Sequence, residues 1–303
     1  MKFRAFGKRY YNYLLSEKAQ KNSEKWIIII SIASFLIHLG VIALTDLEII
    51  LQGSDYDLLA DPIAAIYTPF SFILLYEVYL LIYYLPKSIT TYINKQYEII
   101  TLIVIRRIFK DLSKLDLTLD AWLLNDFNQQ FVADILTTVL LFFFIWLFNR
   151  KKAEAVSDKI ESEGFSDNLK SFIRRKKILA MVLVPIFIFL ALFSLGQWFY
   201  EQFTYHPSEH PISDINSIFF NEFFVVLILT DVLLLLFSLF NTNQFHKVIR
   251  NSGFIISTIL IRLSFSADSI LNNILVLLAV IFGLLILMVH NQFEKNLPET
   301  ANT

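Results

Sequence analysis

The chain has no cysteine. That absence excludes disulfides, thiolate metal sites and thiol catalysis, and it leaves the redox compartment unreadable. Charge is scarce: 17% of the 303 residues are Asp, Glu, Lys or Arg, against about 25% in soluble globular domains. Neither sign dominates, the net charge being -1, so composition points to neither nucleic acid nor acidic ligands as partners. The phosphate-cradling patterns G-x-x-x-x-G-K-[ST] and G-x-G-x-x-G are missing as well, which leaves nucleotide-driven chemistry unsupported. Neither a cofactor nor a metal site is expected.

What fills the chain instead is apolar. Hydrophobic residues make up 56%, with 30 Phe, the composition of an all-α polytopic membrane protein. Six runs approach the length of about 20 residues that a membrane helix needs: 26–46, 63–85, 131–149, 178–199, 219–240 and 270–290. Two more, 96–110 and 253–265, are shorter and interrupted by arginine.

Loop charge decides whether the short runs count. Residues 1–25 carry seven Lys/Arg, and the linker 150–177 carries nine together with five acids. Residues 46–62 carry five acids and 200–222 four, with no basic residue in either. Basic loops stay cytoplasmic. Six spans would strand the linker outside, whereas eight keep it inside with both termini. Re-entrant pairs are the competing arrangement for the two arginine-bearing segments.

Eight spans expose an internal repeat. EVYLLIYYLP from Glu77 matches DVLLLLFSLF from Asp231 at four of ten positions, and IITLIVIRRIF from Ile99 matches IISTILIRLSF from Ile255 at six of eleven. Arg106 then aligns with Arg262. Each half holds four helices, an even number, so the halves share orientation and form a parallel repeat. The expected organisation is a basic interfacial segment 1–25, a four-helix repeat 26–149, a charged cytoplasmic linker 150–177, a second repeat 178–290 and a cytoplasmic tail 291–303. An insertion at Lys110–Gln130, with Trp122 and Phe127, suits an amphipathic helix at the outer interface. The first apolar run has no A-x-A-like cleavage site before Asp46 and reads as an uncleaved signal anchor.

An ion in hydrocarbon costs roughly 2.5–3.5 kcal/mol on insertion scales, so Glu77, Arg106, Asp231 and Arg262 are the candidate site residues. Either each acid pairs with the arginine of its own half to brace the bundle, or the four line an aqueous path. Arg107, Asp134 and His38 are secondary candidates. Arg107, Lys110 and Lys114 share a helical face, as in a voltage sensor. The second half has Ser266 and Ile270 at the corresponding places of the two lysines, so charge movement would be small. His206, Glu209 and His210 spell the zinc-peptidase pattern H-x-x-E-H, yet Pro207 and Pro211 break the helix that this pattern requires. Asp134 and Asp231 lack the glycine context of an intramembrane aspartyl pair, and His38 has no second mid-membrane histidine with which to hold haem. Pro69 and Pro185 can kink their spans, although proline is common in membrane helices.

The function expected from these residues is a channel or transporter, not an enzyme, with a polar path in or between the halves of a prokaryotic inner-membrane protein. The alternative is a non-catalytic membrane subunit whose buried pairs are structural. Its partners would be the lipid bilayer and, through the 150–177 linker, further copies or other membrane subunits.

Overall fold

The computed structural model describes residues 9–46, 62–112, 125–157, 167–204, 215–240, 244–267 and 269–296. Among these residues the regular structure is entirely helical. Eight long α-helices follow one another: α1 Glu17–Asp46, α2 Tyr67–Tyr84, α3 Ile89–Asp111, α4 Asp126–Ser157, α5 Asp167–Thr204, α6 Ile215–Leu239, α7 Phe245–Ser264 and α8 Ser269–Lys295. A 3-10 turn, Pro62–Ile66, leads into α2.

Side chains mark several helix starts. Ser16 Oγ accepts the Ala19 amide at 3.2 Å, Ser88 Oγ accepts the Thr91 amide at 3.2 Å, and Asn125 Oδ1 accepts the Phe127 amide at 2.9 Å. Each satisfies one of the amides that the first helical turn leaves without an intrahelical partner. Pro86 follows α2 closely, as expected of a residue that cannot continue a helix. Pro185 instead lies inside α5, which runs on past it.

Among the described residues, three helices are long and apolar enough to cross a membrane: Arg9–Thr45, Asp126–Ala153 and Ile270–Lys295. Two shorter apolar helices are Thr68–Tyr84 and Phe223–Leu239. The two arginine-bearing runs lie in unbroken helices, α3 of 23 residues and α7 of 20. At 1.5 Å per residue, 20 residues rise about 30 Å, the thickness of a hydrocarbon core.

The exposed surface is rich in large apolar side chains. Large apolar side chains stand exposed along α1 (Trp26, Ile29, Leu36), α4 (Val139, Phe142, Trp146) and α8 (Leu271, Leu278, Val289). Asp134, Asp231, Arg262, Asn272 and Asn273 are buried. Exposed apolar belts of this extent mark contact with something apolar, and a lipid bilayer is compatible with them.

Compactness divides the chain into two units. The first comprises Met1–Tyr83, Phe109–Leu115 and Leu179–Val225; the second comprises Tyr84–Ile108, Asp116–Ile178 and Val226–Thr303. In the first, α1 and the residues just before it are joined to α2 by polar contacts. The Tyr79 hydroxyl donates to the Leu14 carbonyl at 2.7 Å, Gln20 donates to the Tyr76 hydroxyl at 2.6 Å, and His38 Nδ1 lies 2.5 Å from Thr68 Oγ1.

In the second unit α8 packs along both α7 and α4. Phe148 fills the space between them, 5.3 Å edge-on from Tyr97 and 5.8 Å from Phe254 by ring centroids. Tyr97 donates to Ser257 Oγ at 2.7 Å, and Ser257 in turn donates to the Ala279 carbonyl at 2.6 Å. A Cβ on Gly283 would overlap the Tyr97 hydroxyl. Glycine at that position is what leaves room beside α8 for the Tyr97 hydroxyl.

Candidate functional site

The deepest charged cluster of the second unit is built by i,i+4 pairs on two helices and one acid on a third. Tyr92 and Gln96 share a face of α3, and Thr258 and Arg262 share a face of α7. Both faces meet Asp231 of α6, which is 0% exposed. Its Oδ1 accepts the Tyr92 hydroxyl at 3.0 Å; its Oδ2 lies 3.0 Å from Thr258 Oγ1 and 3.5 Å from Gln96 Nε2. Arg262 Nη1 stands 2.7 Å from Oδ2. That contact is an ion pair without an aligned hydrogen bond, because Nη1 makes no directed bond there. Arg262 Nη2 donates to Gln96 Oε1 at 2.7 Å, so the Gln96 amide bridges carboxylate and guanidinium. The Thr258 hydroxyl has one proton to share between Asp231 and the Ile255 carbonyl, 2.9 Å away.

A second cluster gathers α3, α4 and α8. Arg107 grips Asp134 as a fork, with Nε 2.5 Å from Oδ2 and Nη2 2.7 Å from Oδ1. Guanidinium geometry suits such two-point recognition of a carboxylate. Nη1 also donates to Asn272 Oδ1 at 3.1 Å and Nη2 to Asn273 Oδ1 at 2.6 Å. Asp134 Oδ1 further accepts Gln130 Nε2 at 2.7 Å and Asn273 Nδ2 at 2.6 Å. An amide again bridges the two charges, here that of Asn273. Asn272 Nδ2 donates to the Ser264 carbonyl at 2.7 Å, tying the start of α8 to the end of α7.

Of the residues singled out from sequence, Asp231 and Arg262 are brought together, as are Arg107 and Asp134. Glu77 is buried in α2 within the first unit, and Arg106 is half-buried on α3 within the second. His38 is half-buried on α1 beside Thr68. The H-x-x-E-H stretch, Lys114 and most of the 110–130 insertion fall outside the described residues. Sequence reasoning missed the neutral members, Tyr92, Gln96, Thr258, Asn272 and Asn273. Their signal was available: amides and hydroxyls one helical turn apart inside otherwise apolar segments.

Two further groups lie in the second unit. His246, His290 and Glu294 place their ligand atoms within 4.8 Å of one another. Lys176, 1% exposed, donates to the Lys87 carbonyl at 2.5 Å, its ammonium 5.3 Å from the Phe172 ring. Burial pushes its pKa down to about 7. The chain matches no protein-family model, no curated protein and no solved structure.

Proposed function

We propose that the chain is a multi-pass integral membrane protein of a prokaryotic inner membrane that serves as a non-catalytic membrane subunit of a larger assembly. In this reading it crosses eight times, as two parallel four-helix repeats, with both termini cytoplasmic. The linker 150–177 is its docking surface. The observation that carries the structural role is that donors from the protein surround Asp231: Arg262, Tyr92, Thr258 and Gln96. A carboxylate so engaged braces the helices that hold it. The exposed apolar belts support the membrane assignment, and the length of α3 and α7 supports their crossing.

A channel or transporter is the second reading. It is favoured by Arg107, whose side chain is 27% accessible although its carboxylate partner is 0% accessible. An ionised group that is partly open at one end of a polar cluster is what an ion or solute path requires.

Asp231→Asn separates the two. A brace predicts reduced stability of the purified protein and no change in ion or solute flux through proteoliposomes. Altered flux with wild-type stability would instead establish the path. Topology is tested by a single cysteine at position 164 of the cysteine-free chain. Eight spans predict that it resists an impermeant thiol reagent in right-side-out vesicles; rapid labelling there would overturn the eight-span arrangement.

A further inference from the structure

We propose that His246, His290 and Glu294 form a binding site for a first-row divalent cation of the zinc class. His290 and Glu294 lie one turn apart near the end of α8, and His246 lies in the first turn of α7. Glu294 Oε1 is 3.4 Å from His290 Nε2 and 3.7 Å from His246 Nε2. A tetrahedral ion with bonds of about 2.0–2.2 Å holds its ligand atoms about 3.3–3.6 Å apart. Two edges of the triangle therefore already have nearly the length that an ion would impose. The imidazoles stack with centroids 5.4 Å apart and planes at 21°, and His246 also stacks on Phe293, so at least one ring must turn to aim both nitrogens at one point.

The protonation pattern points the same way. Arg250 Nη1 lies 2.9 Å from His290 Nε2. A guanidinium can only donate, so Nε2 is the acceptor nitrogen and carries a lone pair. That lone pair is directed at Arg250 and becomes available to a cation once the Nη1 contact is released, with a Glu294 oxygen 3.4 Å from the same nitrogen. Arg250 is anchored by two bonds to Asn251 Oδ1, at 3.1 and 3.0 Å. An ion arriving at His290 displaces the Nη1 contact, while the two bonds to Asn251 involve the other guanidinium nitrogens. Arg250 thus competes with the ion for His290. Two imidazoles and one carboxylate suit zinc, cobalt, nickel or ferrous iron; calcium and magnesium prefer all-oxygen sites. Three protein ligands leave a fourth position open, and the bound ion would clamp the start of α7 to the end of α8.

The test uses the full chain, purified without a histidine tag and held in nanodiscs above pH 7, where histidine is neutral. Zinc is titrated against a chromophoric chelator, and cobalt is followed by its visible absorption. The expected result is one equivalent of either ion per chain, with the intense cobalt bands of a four-coordinate site. Glu294→Gln and His290→Asn should each weaken binding by at least ~10-fold, as loss of a ligand must cost no less than loss of an outer-shell partner. Arg250→Gln should tighten it, and His206→Asn with His210→Asn should leave it unchanged. The site is overturned if the wild-type chain binds no ion, if Glu294→Gln and His290→Asn both bind like wild type, or if the His206/His210 variant abolishes binding. Weaker binding by Arg250→Gln would overturn the competition.

Discussion

The two carboxylate–guanidinium clusters of the second unit share a plan and differ in their surroundings. In each, one acid and one arginine on different helices are bridged by a side-chain amide, Gln96 in one and Asn273 in the other. The Asp231 cluster is closed: its two charged side chains are 0% and 3% accessible, and hydroxyls complete the shell. The Asp134 cluster has further amides in place of the hydroxyls and an arginine that is 27% accessible. The same charges therefore face different consequences if the pair is broken. A closed cluster offers the surviving ion only neutral partners, whereas an open one gives its arginine access to water or lipid headgroups.

Breaking the closed pair should have the largest effect. Arg262→Met leaves a buried carboxylate facing only neutral donors and is expected to cost about 3–5 kcal/mol, read as denaturant or thermal stability in micelles. Replacing both charges, Asp231→Met with Arg262→Met, should recover most of that loss, because a buried ion pair and a well-packed apolar pair are often of similar stability. A single substitution that costs less than about 1 kcal/mol would show that the closed cluster is no brace. In the open cluster, Arg107→Met should cost less than Arg262→Met, about 1–3 kcal/mol, the penalty of leaving hydrogen-bonding groups unsatisfied. Equal losses at Arg107 and Arg262 would erase the distinction drawn from accessibility.

The same contrast explains what could be read from the sequence. Ions in apolar runs stand out because so few residues there are charged, and Asp231, Arg262, Arg107 and Asp134 were all visible on that ground. Helices were visible too, since apolar runs of this length have few alternatives in lipid. Partnership was legible for Asp231 with Arg262, which stand on neighbouring apolar segments of the sequence. Arg107 with Asp134 joins two helices in a pairing that no periodicity encodes. Gln96 and Asn273 were harder still, because an amide is a cheap residue in a helix and signals nothing until a charge lies beside it. His246 and His290 are 44 positions apart, and only the antiparallel packing of α7 on α8 brings them together.

Packing between the clusters provides an intermediate test. Gly283→Ala would drive a methyl group into the Tyr97 hydroxyl, and overpacking of this kind costs about 1–3 kcal/mol. If the hydroxyl is the obstacle, adding Tyr97→Phe should return part of the loss. No rescue would place the obstacle in the Tyr97 ring or in Ser257, whose Cζ and Oγ lie 2.9 and 3.1 Å from that methyl position.

Lys176 offers a contrast of a different kind, because it is a buried charge held by a carbonyl and a ring, with burial alone lowering its pKa to about 7 from 10.5. Between those values the folded chain binds fewer protons at this residue than the unfolded chain does, so stability rises with pH across that window. Below about pH 7 both states are protonated and the cost of burying the ammonium is present in full. The slope from this one group is at most about 1.4 kcal/mol per pH unit. Lys176→Met removes both the cost and the slope. Its stability advantage over the wild type should therefore be greatest near pH 6 and should shrink steadily towards pH 9, measured as unfolding midpoints in the same detergent. An advantage that stays constant over that range would mean that Lys176 keeps its proton when buried, and that its surroundings stabilise a cation as effectively as the carboxylates do for Arg262 and Arg107.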